Sequence, residues 1–375
     1  MTAPDSSHAA PAPAPGPALA RVQVVAPGAL ATLQDLGRPG WRRLGVPHAG
    51  ALDPALLHLA NRLAGNADNT AVIEFFATGP TLKALDHPLR LGLAGHFSAT
   101  LQRANGERSP VDAWRSVTLQ PGDVLQLGPL RASRVGCVAI GGLVVAPVLG
   151  SASTYARAGL GGQAGRALAA GDTLPAAALD NKSNASSGER WLRTPPARSA
   201  LPIRVVPGPQ DDYFSPETLA AFFSNSYCVS ADADRMGVRL IGPALAHRPD
   251  KGNEIVSDAT VPGSIQVPGN GLPIVLLADG QTVGGYPKIG TVVSADLDRL
   301  ATAAVGATLR FAAVTVAQAE ALAQSHHAAL GKLLAAVEPL LLDGGIDLQA
   351  LYTSNLVSGI IHAHPTDGAD PWTST

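Results

Sequence analysis

Residues 264–293 read SIQVPGNGLPIVLLADGQTVGGYPKIGTVV, and this stretch decides the class of fold. Short apolar runs at 264–267, 274–278 and 291–293 are separated by glycine and proline turns. Runs of this length favour β-strands, and close spacing with Gly and Pro at the corners is typical of closed or sandwiched β-structure. The stretch therefore predicts neighbouring strands of one β-domain.

The same pattern of short runs and turns recurs along the rest of the chain. Further runs occur at 21–26, 72–77, 89–93, 117–119, 124–127, 136–145, 203–206, 228–230, 237–241 and 308–314. Helices are few, and capping residues mark their starts at Asp53, Ser215 and Thr315. The predicted fold class is mainly β, with a few short helices.

Composition divides the 375 residues into six segments. The length and the apolar content favour two domains. The predicted segments are a disordered Ala/Pro-rich N-terminus at 1–20, a first β domain at 21–180, a polar linker or loop at 181–199, a second β domain at 200–316, a helical C-terminal extension at 317–364 and a disordered tail at 365–375. We expect Gly331 and Pro339 to weaken or break the helix that follows Thr315.

Charge and cysteine content bear on the compartment and on the partners. Lys and Arg number 27 against 29 Asp and Glu, so no overall field would gather nucleic acid or an anionic membrane surface. Cys137 and Cys228 lie in apolar stretches, which favours buried thiols over a disulfide framework. The first twenty residues lack a cationic region and a continuous apolar core, so we expect no signal peptide and a cytoplasmic location.

Absent motifs argue against several enzyme classes. The sequence has no Gly-x-x-x-x-Gly-Lys-Ser/Thr loop, no strand-linked Gly-x-Gly-x-x-Gly and no Gly-x-Ser-x-Gly elbow. The histidines at 326/327 and 362/364 lack a third paired ligand, so we expect no metal site. Glycine follows Met236, so the chain has no Met-Lys pair of the kind that carries biotin.

Polar residues set among glycines and strands mark a candidate active site. An acid can accept a proton, an amide can orient an oxygen, and a cation can neutralise an oxyanion. The predicted catalytic residues are Asp279, Lys288 and Asp258, with either aspartate as the proton acceptor. The predicted substrate-binding residues are Arg235, Gln281, Gln266, Arg38, Asp53, Gly284 and Gly285, with Arg38 and Asp53 on the wall opposite the others.

Several of these residues also have an ordinary structural interpretation. Residues 279–285 fit a hairpin turn, Asp53 fits an N-cap, and Arg235 fits a surface ion pair with a neighbouring aspartate. The functional interpretation is favoured at 279–288 because a plain turn does not require Gln281 and Lys288 on either side of two glycines.

Several long motifs, in order, resemble the biotin-dependent carboxyltransferase family, which is also named allophanate hydrolase subunit 2 and the C subunit of 5-oxoprolinase. They are QDLGRPG (34–40), GVPHAGALD (45–53), NRLAGN (61–66), PGPQDD (207–212), DRMGVRL (234–240), VPGSIQVPG (261–269) and DGQTVGGYPKIG (279–290). The resemblance runs from about residue 21 to 316 and implies two cyclophilin-like β-barrel domains. Val283 and Gly280 depart from the family pattern, which bears on the choice of substrate.

The resemblance also implies a function. It indicates one component of an ATP-dependent 5-oxoprolinase that hydrolyses the lactam amide of 5-oxoproline to glutamate, with partners that resemble the A and B subunits of that complex. ATP is expected to bind with or on a partner, because this chain lacks a familiar nucleotide loop. One alternative is carboxyl transfer from carboxybiotin, carried on another protein, to a urea-like or small amide acceptor. A third interpretation is a non-catalytic regulatory binding module.

Overall fold

The computed structural model describes residues 19–178, 188–197 and 199–340. Short strands make up most of the regular structure in these ranges. The strands are β1 Leu19–Ala26, β2 Leu30–Gln34, β3 Val72–Phe76, β4 Thr81–Ala84, β5 Leu89–Ala94, β6 Ser98–Gln102, β7 Arg108–Asp112, β8 Arg115–Leu119, β9 Val124–Leu127, β10 Val135–Ile140, β11 Thr173–Ala177, β12 Arg190–Leu192, β13 Ile203–Pro207, β14 Ser226–Val229, β15 Gly237–Ile241, β16 Asp258–Ala259, β17 Ser264–Gln266, β18 Ile274–Leu276, β19 Val283–Gly284, β20 Lys288–Val292, β21 Thr308–Ala313 and β22 Val337–Pro339. The helices are α1 Pro54–Ala64, α2 Pro216–Ser224, α3 Ser294–Ala301 and α4 Val316–Ala335, with short 3-10 turns at Arg42–Leu44, Ala156–Ala158 and Asp211–Tyr213.

Two sheets enclose the first hydrophobic core. One has the strand order β11-β1-β4-β9-β6-β7, and the other has the order β2-β3-β10-β5-β8-β12-β22. Residues alternate between buried and partly exposed in β4, as expected for a strand with one face on a core. In contrast, β5 and β10 are buried along their whole length, because α1 packs against them in addition to the core.

Gly92 is where α1 lies closest to the sheet. A Cβ atom at this position would lie 2.1 Å from the Ala60 carbonyl oxygen and 2.7 Å from the Ala64 nitrogen. We expect Gly92→Ala to lower the free energy of unfolding by about 1–3 kcal/mol, because α1 must shift away from β5. Denaturant titration measures this change. Gly331→Ala is the control, since nothing lies within 4 Å of its added Cβ and alanine favours the helix. An equally large loss of unfolding free energy in Gly331→Ala would contradict the explanation by close approach of α1.

The second core fills a closed barrel. Its strand order is β13-β20-β17-β18-β15-β14-β21, and every neighbouring pair runs antiparallel except β13 with β21. A separate ribbon pairs β16 with β19 beside the barrel. The closed barrel and the predominance of strands confirm the predicted fold class.

The predicted segment boundaries can be placed on this architecture. The described residues up to Pro339 form one compact unit, and Leu52 and Val135 from the first half take part in the second core. β12 lies within the segment predicted as a polar linker, and α4 continues through Gly331 to Ala335 before β22 begins. The predictions for 1–18 and 341–375 lie outside the described residues, and the division into two domains stays a prediction.

Several smaller features bear on the expectations from sequence. Cys137 is buried, and neither it nor Cys228 forms a disulfide in the described ranges. Burial raises the pKa of the Cys137 thiol well above its usual value. Within the described ranges, no helix combines the length and the apolar character needed to cross a membrane.

Candidate active site

Lys288 is a buried cation at one end of the barrel. It begins β20, and its partner across the strand pair is Gln266 in β17. The side chain is 3% exposed, and its Nζ donates to Asp258 Oδ2 at 2.7 Å and to the Ala259 carbonyl at 2.9 Å. A buried ammonium group requires such acceptors. The barrel therefore holds this positive charge at a fixed position beside the ribbon of β16 and β19.

Asp258 links the lysine to solvent. Its side chain is 49% exposed, while its Oδ1 accepts from the Ala259 N–H at 2.7 Å. The hydrogen bond from Lys288, followed by those from Ala259 and Gln210, lowers the pKa of Asp258. The carboxylate consequently stays ionised at neutral pH and presents an acceptor at the surface of the site.

Gln210 closes this network and was not among the predicted site residues. Its Nε2 donates to Asp258 Oδ2 at 3.2 Å, and its Oε1 accepts from the Lys288 backbone N–H at 3.2 Å. The motif PGPQDD places Gln210 in the turn after β13, where functional groups commonly lie. Its position in this turn was the sequence signal that could have identified Gln210. Its hydrogen-bond partners, Asp258 and Lys288, lie 48 and 78 residues away in sequence, so no local motif links them.

Two glutamines pair beside the lysine. Gln281 Nε2 donates to Gln266 Oε1 at 3.0 Å. Gln266 Nε2 is buried and has no hydrogen-bond partner within the described part of the chain. It packs against Gly284, where an added Cβ would lie only 2.3 Å from Nε2. The structure thus brings together the predicted residues Lys288, Asp258, Gln266, Gln281 and Gly284.

Arg42 ties the first half of the chain to this cluster. Its Nη2 donates to the Thr260 carbonyl at 2.8 Å and to the Gln281 carbonyl at 3.1 Å. The Thr260 hydroxyl donates to the same Gln281 carbonyl. Burial lowers the pKa of Arg42. The contacts of Arg42 fix the backbone from which the Gln281 side chain projects. Sequence analysis missed Arg42, although it lies just after the motif QDLGRPG.

Arg235 and Asp279 form a second, buried cluster. The guanidinium donates to Asp279 Oδ2 at 3.0 Å and Oδ1 at 2.9 Å, to the Gly50 carbonyl at 2.6 Å, and to Glu74 Oε1. Burial would lower the pKa of Arg235, but the charges of Asp279 and Glu74 outweigh burial and raise it. Burial raises the pKa of Glu74 despite its arginine partner. Because Glu74 and Gly50 belong to the first half of the chain and Arg235 and Asp279 to the second, this cluster joins the two halves of the protein.

Arg38 is buried between the loops of the first half. Its Nη2 donates to the Ser153 carbonyl, whereas Nε and Nη1 have no hydrogen-bond partner among the described residues. Burial lowers its pKa, and the nearby charges of Asp35 and Asp279 oppose this shift. The electrostatic effect of Asp279 places Arg38 near the Arg235 and Asp279 cluster, and its role on the wall opposite the other substrate-binding residues stays a prediction.

Asp53 caps helix α1. Its Oδ1 accepts from the Ala55 N–H at 2.9 Å and from the Leu56 N–H at 3.1 Å, and proline occupies the first helical position. In the described ranges no contact joins Asp53 to Lys288. Burial raises the pKa of Asp53 most, and the charge of Asp298 adds to this shift.

Gly285 has more room than Gly284, since its added Cβ meets nothing nearer than 3.5 Å.

The Lys288 cluster has the groups needed to stabilise an oxyanion at a carbonyl. The ammonium group supplies positive charge, the amide pair supplies oriented donors, and Asp258 supplies an exposed acceptor. Asp258 is better placed than Asp279 to exchange a proton with a substrate, because its side chain is 49% exposed whereas that of Asp279 is 11% exposed and paired with Arg235. Among the described residues, no three His, Cys, Asp or Glu side chains converge as a metal site would require.

Sequence and structure comparisons place the chain among known proteins. The family model described as "Carboxyltransferase domain, subdomain A and B" matches residues 44–313. The chain belongs to the carboxyltransferase family. This confirms the resemblance seen in the motifs.

Curated members of the family align over most of the chain. The C subunit of 5-oxoprolinase from Haemophilus influenzae is 34% identical over 304 residues, which cover 81% of this chain and 94% of that protein. The corresponding 5-oxoprolinase protein of Escherichia coli is 34% identical over 301 residues, covering 80% and 93%. The crystal structure of K. lactis urea amidolyase is 28% identical, with a TM-score of 0.72, and covers 84% of this chain and 20% of that one.

Proposed function

We propose that this carboxyltransferase-family chain is one component of an ATP-dependent 5-oxoprolinase. With partners resembling the A and B subunits, it would hydrolyse the lactam amide of 5-oxoproline to glutamate. The observation that carries the proposal is the buried Lys288 ammonium group, held by exposed Asp258 beside the Gln266 and Gln281 amides. The 34% identity to two proteins named as C subunits of 5-oxoprolinase supports the choice of reaction.

The cluster offers a clear role at a lactam carbonyl. When water adds to the carbonyl carbon, the carbonyl oxygen gains negative charge, which Lys288 would neutralise. Gln281 would orient the ring amide. Asp258 would accept the proton of the attacking water and return it to the ring nitrogen as the C–N bond breaks, which leaves the carboxyl and amino groups of glutamate.

ATP is assigned to a partner protein or to an interface with one. A triphosphate needs several cations that are free to bind it. Lys288 already donates to Asp258, and in the second cluster Arg235 is neutralised by two carboxylates. These residues do not fit a triphosphate, so no step of the reaction is routed through ATP on this chain.

Reconstitution tests the proposed reaction directly. The chain, mixed with partners of the A and B types, is expected to form glutamate from 5-oxoproline only when ATP is present and only when all three proteins are present. Chromatographic quantification of glutamate measures the product. Equal glutamate formation without this chain would contradict the proposal.

Carboxyl transfer is the second candidate function. The family name and the relatives named urea amidolyase support it. The Gln281 and Gln266 amides are the groups that would contact the ureido ring of carboxybiotin, which the carrier domain of another protein would supply. Avidin added to the reconstitution separates the two reactions, since it blocks a biotin-dependent reaction and leaves lactam hydrolysis unchanged.

Gly284→Ala tests the glutamine pair. The new Cβ would displace the Gln266 amide, so we expect about a tenfold fall in kcat with little change in stability, from the loss of one oriented hydrogen bond. Gly331→Ala is the control, because nothing lies within 4 Å of its added Cβ and it is not a residue of the Lys288 cluster. Steady-state glutamate formation by both variants measures the difference. Equal kcat values for the two would remove the glutamine pair from the mechanism.

A further inference from the structure

Two adjoining cavities lie under helix α4. Their volumes are about 380 and 440 Å³. Both are lined by residues of α1, α3 and α4, and Ala55, Ala295, Asp298, His326 and Leu330 border both. Volumes of this size and walls built from several elements are typical of small-molecule sites.

Helix α4 covers these cavities without filling them. Ala323, His326, His327 and Leu330 lie at helical spacing along the side that lines the larger cavity. Yet α4, which lies wholly within the described residues, has no buried residue, although protein interiors are normally close-packed. α4 also lies beyond residues 44–313, which match the family domain. The helix that covers the cavities therefore lies outside the matched range, whereas most of the residues that line them lie within it.

The polar centre of the smaller cavity is acidic. Asp53 uses Oδ1 for both of its capping bonds, and within the described ranges no donor reaches Oδ2. Asp298 Oδ2 lies 3.7 Å from His326 Nε2. Arg299 also borders the cavity, but its Nη1 donates to Asp296 Oδ1 at 2.9 Å. Asp298 Oδ1 accepts from the Arg299 N–H at 2.6 Å, so the carboxylate oxygens available to a ligand are Asp53 Oδ2 and Asp298 Oδ2.

The rest of the wall is apolar and partly aromatic. Leu56, Leu59 and Val135 border the smaller cavity together with Trp114, whose ring packs edge-on against His96. In the larger cavity His58 has a buried Nδ1 without a hydrogen-bond partner among the described residues. A complementary ligand needs an apolar body as well as a donor group.

We propose that the cavities under α4 bind a small ligand that carries a protonated amine on an apolar body of about the size of an aromatic ring. The ammonium group donates to Asp53 Oδ2 and to Asp298. The apolar body lies against Leu56, Trp114 and Leu330. This assignment is independent of the Lys288 cluster and of the reaction proposed for it.

The ionisation of the two aspartates gives the site a pH dependence. Burial, followed by the charge of Asp298, raises the pKa of Asp53 to about 7. Burial also raises the pKa of Asp298, and the charge of His326 opposes this shift. The other ionisable groups on the walls of the two cavities are His48, His58, His96, Arg299 and His327. Below pH 7 protonation of Asp53 removes an anionic acceptor, so the amine should bind more tightly at pH 8 than at pH 6.

Calorimetry with three matched probes tests the proposal on the full chain. The probes are 2-phenylethylammonium, 2-phenylethanol and 3-phenylpropionate, which share a ring and differ in the head group. We expect the ammonium probe to bind at least about tenfold more tightly than either of the others, as for a hydrogen-bonded ion pair. We also expect its affinity to rise from pH 6 to pH 8.

Two variants and one control locate the binding. Asp298→Asn should weaken the ammonium probe about tenfold by removing a charged acceptor. Leu330→Trp should block all three probes by filling the space, and it keeps the proposal testable if Asp298→Asn fails to fold. Asp250→Asn, which removes a surface carboxylate paired with Arg248, should leave binding unchanged. Equal binding of the three probes, absence of binding, or unchanged ammonium affinity in Asp298→Asn and Leu330→Trp would overturn the assignment.

Discussion

Arg235→Met is expected to lower the free energy of unfolding by about 3–5 kcal/mol, because it leaves two buried carboxylates without their cation. Asp279 loses two hydrogen bonds at 3.0 and 2.9 Å, and Glu74 loses its ion pair. The Gly50 carbonyl also loses a donor. Methionine fills part of the volume, so the loss reports the charge pairing more than a cavity.

Chemical denaturation at two pH values distinguishes this explanation from a packing defect. Burial already raises the pKa of Glu74 in the folded protein, and removing Arg235 raises it further. A group with a raised folded pKa binds protons more readily when folded, so lowering the pH stabilises the variant relative to the wild type. The deficit should shrink from pH 8 to pH 5, and a deficit independent of pH would favour packing.

Arg239→Met is the matched control for this experiment. Arg239 lies in the same motif and its side chain is exposed. Surface substitutions of this kind usually change stability by no more than about 0.5 kcal/mol. A comparable loss in Arg239→Met would contradict the special role of Arg235.

The sequence predicted local features of the fold well where one segment contains the whole signal. Asp53 caps α1 as expected, and the Thr315 and Gln318 capping box forms in full. α3 was missed because its N-cap residue, Val293, makes no side-chain capping bond. Gly331 did not end α4, because a solvent-facing glycine lowers helix stability without preventing the helix.

The sequence indicated several residues of the candidate site, but it indicated fewer of the hydrogen-bonded pairs that these residues form. Gln266, Lys288 and Gln281 lie within one motif region, so their proximity followed from the strand pattern. Arg42 and Glu74 were missed because their partners lie 218 and 161 residues away in sequence. One signal was available for Glu74, since a carboxylate inside the apolar run VIEFF must find a partner when buried.

Arg235 shows why residue type alone does not settle a role. The sequence predicted that Arg235 binds substrate, with a surface ion pair as the alternative, and the structure shows a buried pair in which two of its nitrogens donate to one carboxylate. The carboxylates that accept from Arg235 belong to Asp279 and Glu74. Substrate contact by Arg235 stays a prediction, while its contribution to joining the two halves follows from its hydrogen bonds to Glu74 and Gly50.

Lys288→Met is expected to lower kcat for 5-oxoproline hydrolysis by about 100- to 1000-fold, because the oxyanion would lose its main electrostatic partner. Stability should change by no more than about 1 kcal/mol beyond packing effects, since the carboxylate left behind is 49% exposed and solvent can replace the lysine. KM should change less than kcat, because the charge develops only as the carbonyl is attacked. Steady-state kinetics of the reconstituted complex measures both constants.

A second lysine provides the comparison that makes this result interpretable. Lys251 also pairs with an aspartate, Asp212, at 2.6 Å, but both side chains lie in solvent at 36% and 53% exposure. Lys251→Met therefore removes the same charge without touching the barrel end, and we expect kcat to stay within about twofold of the wild type, as surface ion pairs contribute little. If folded Lys288→Met retained the kcat of Lys251→Met, the buried ammonium group would be a structural partner of Asp258 and the catalytic role would have to lie elsewhere.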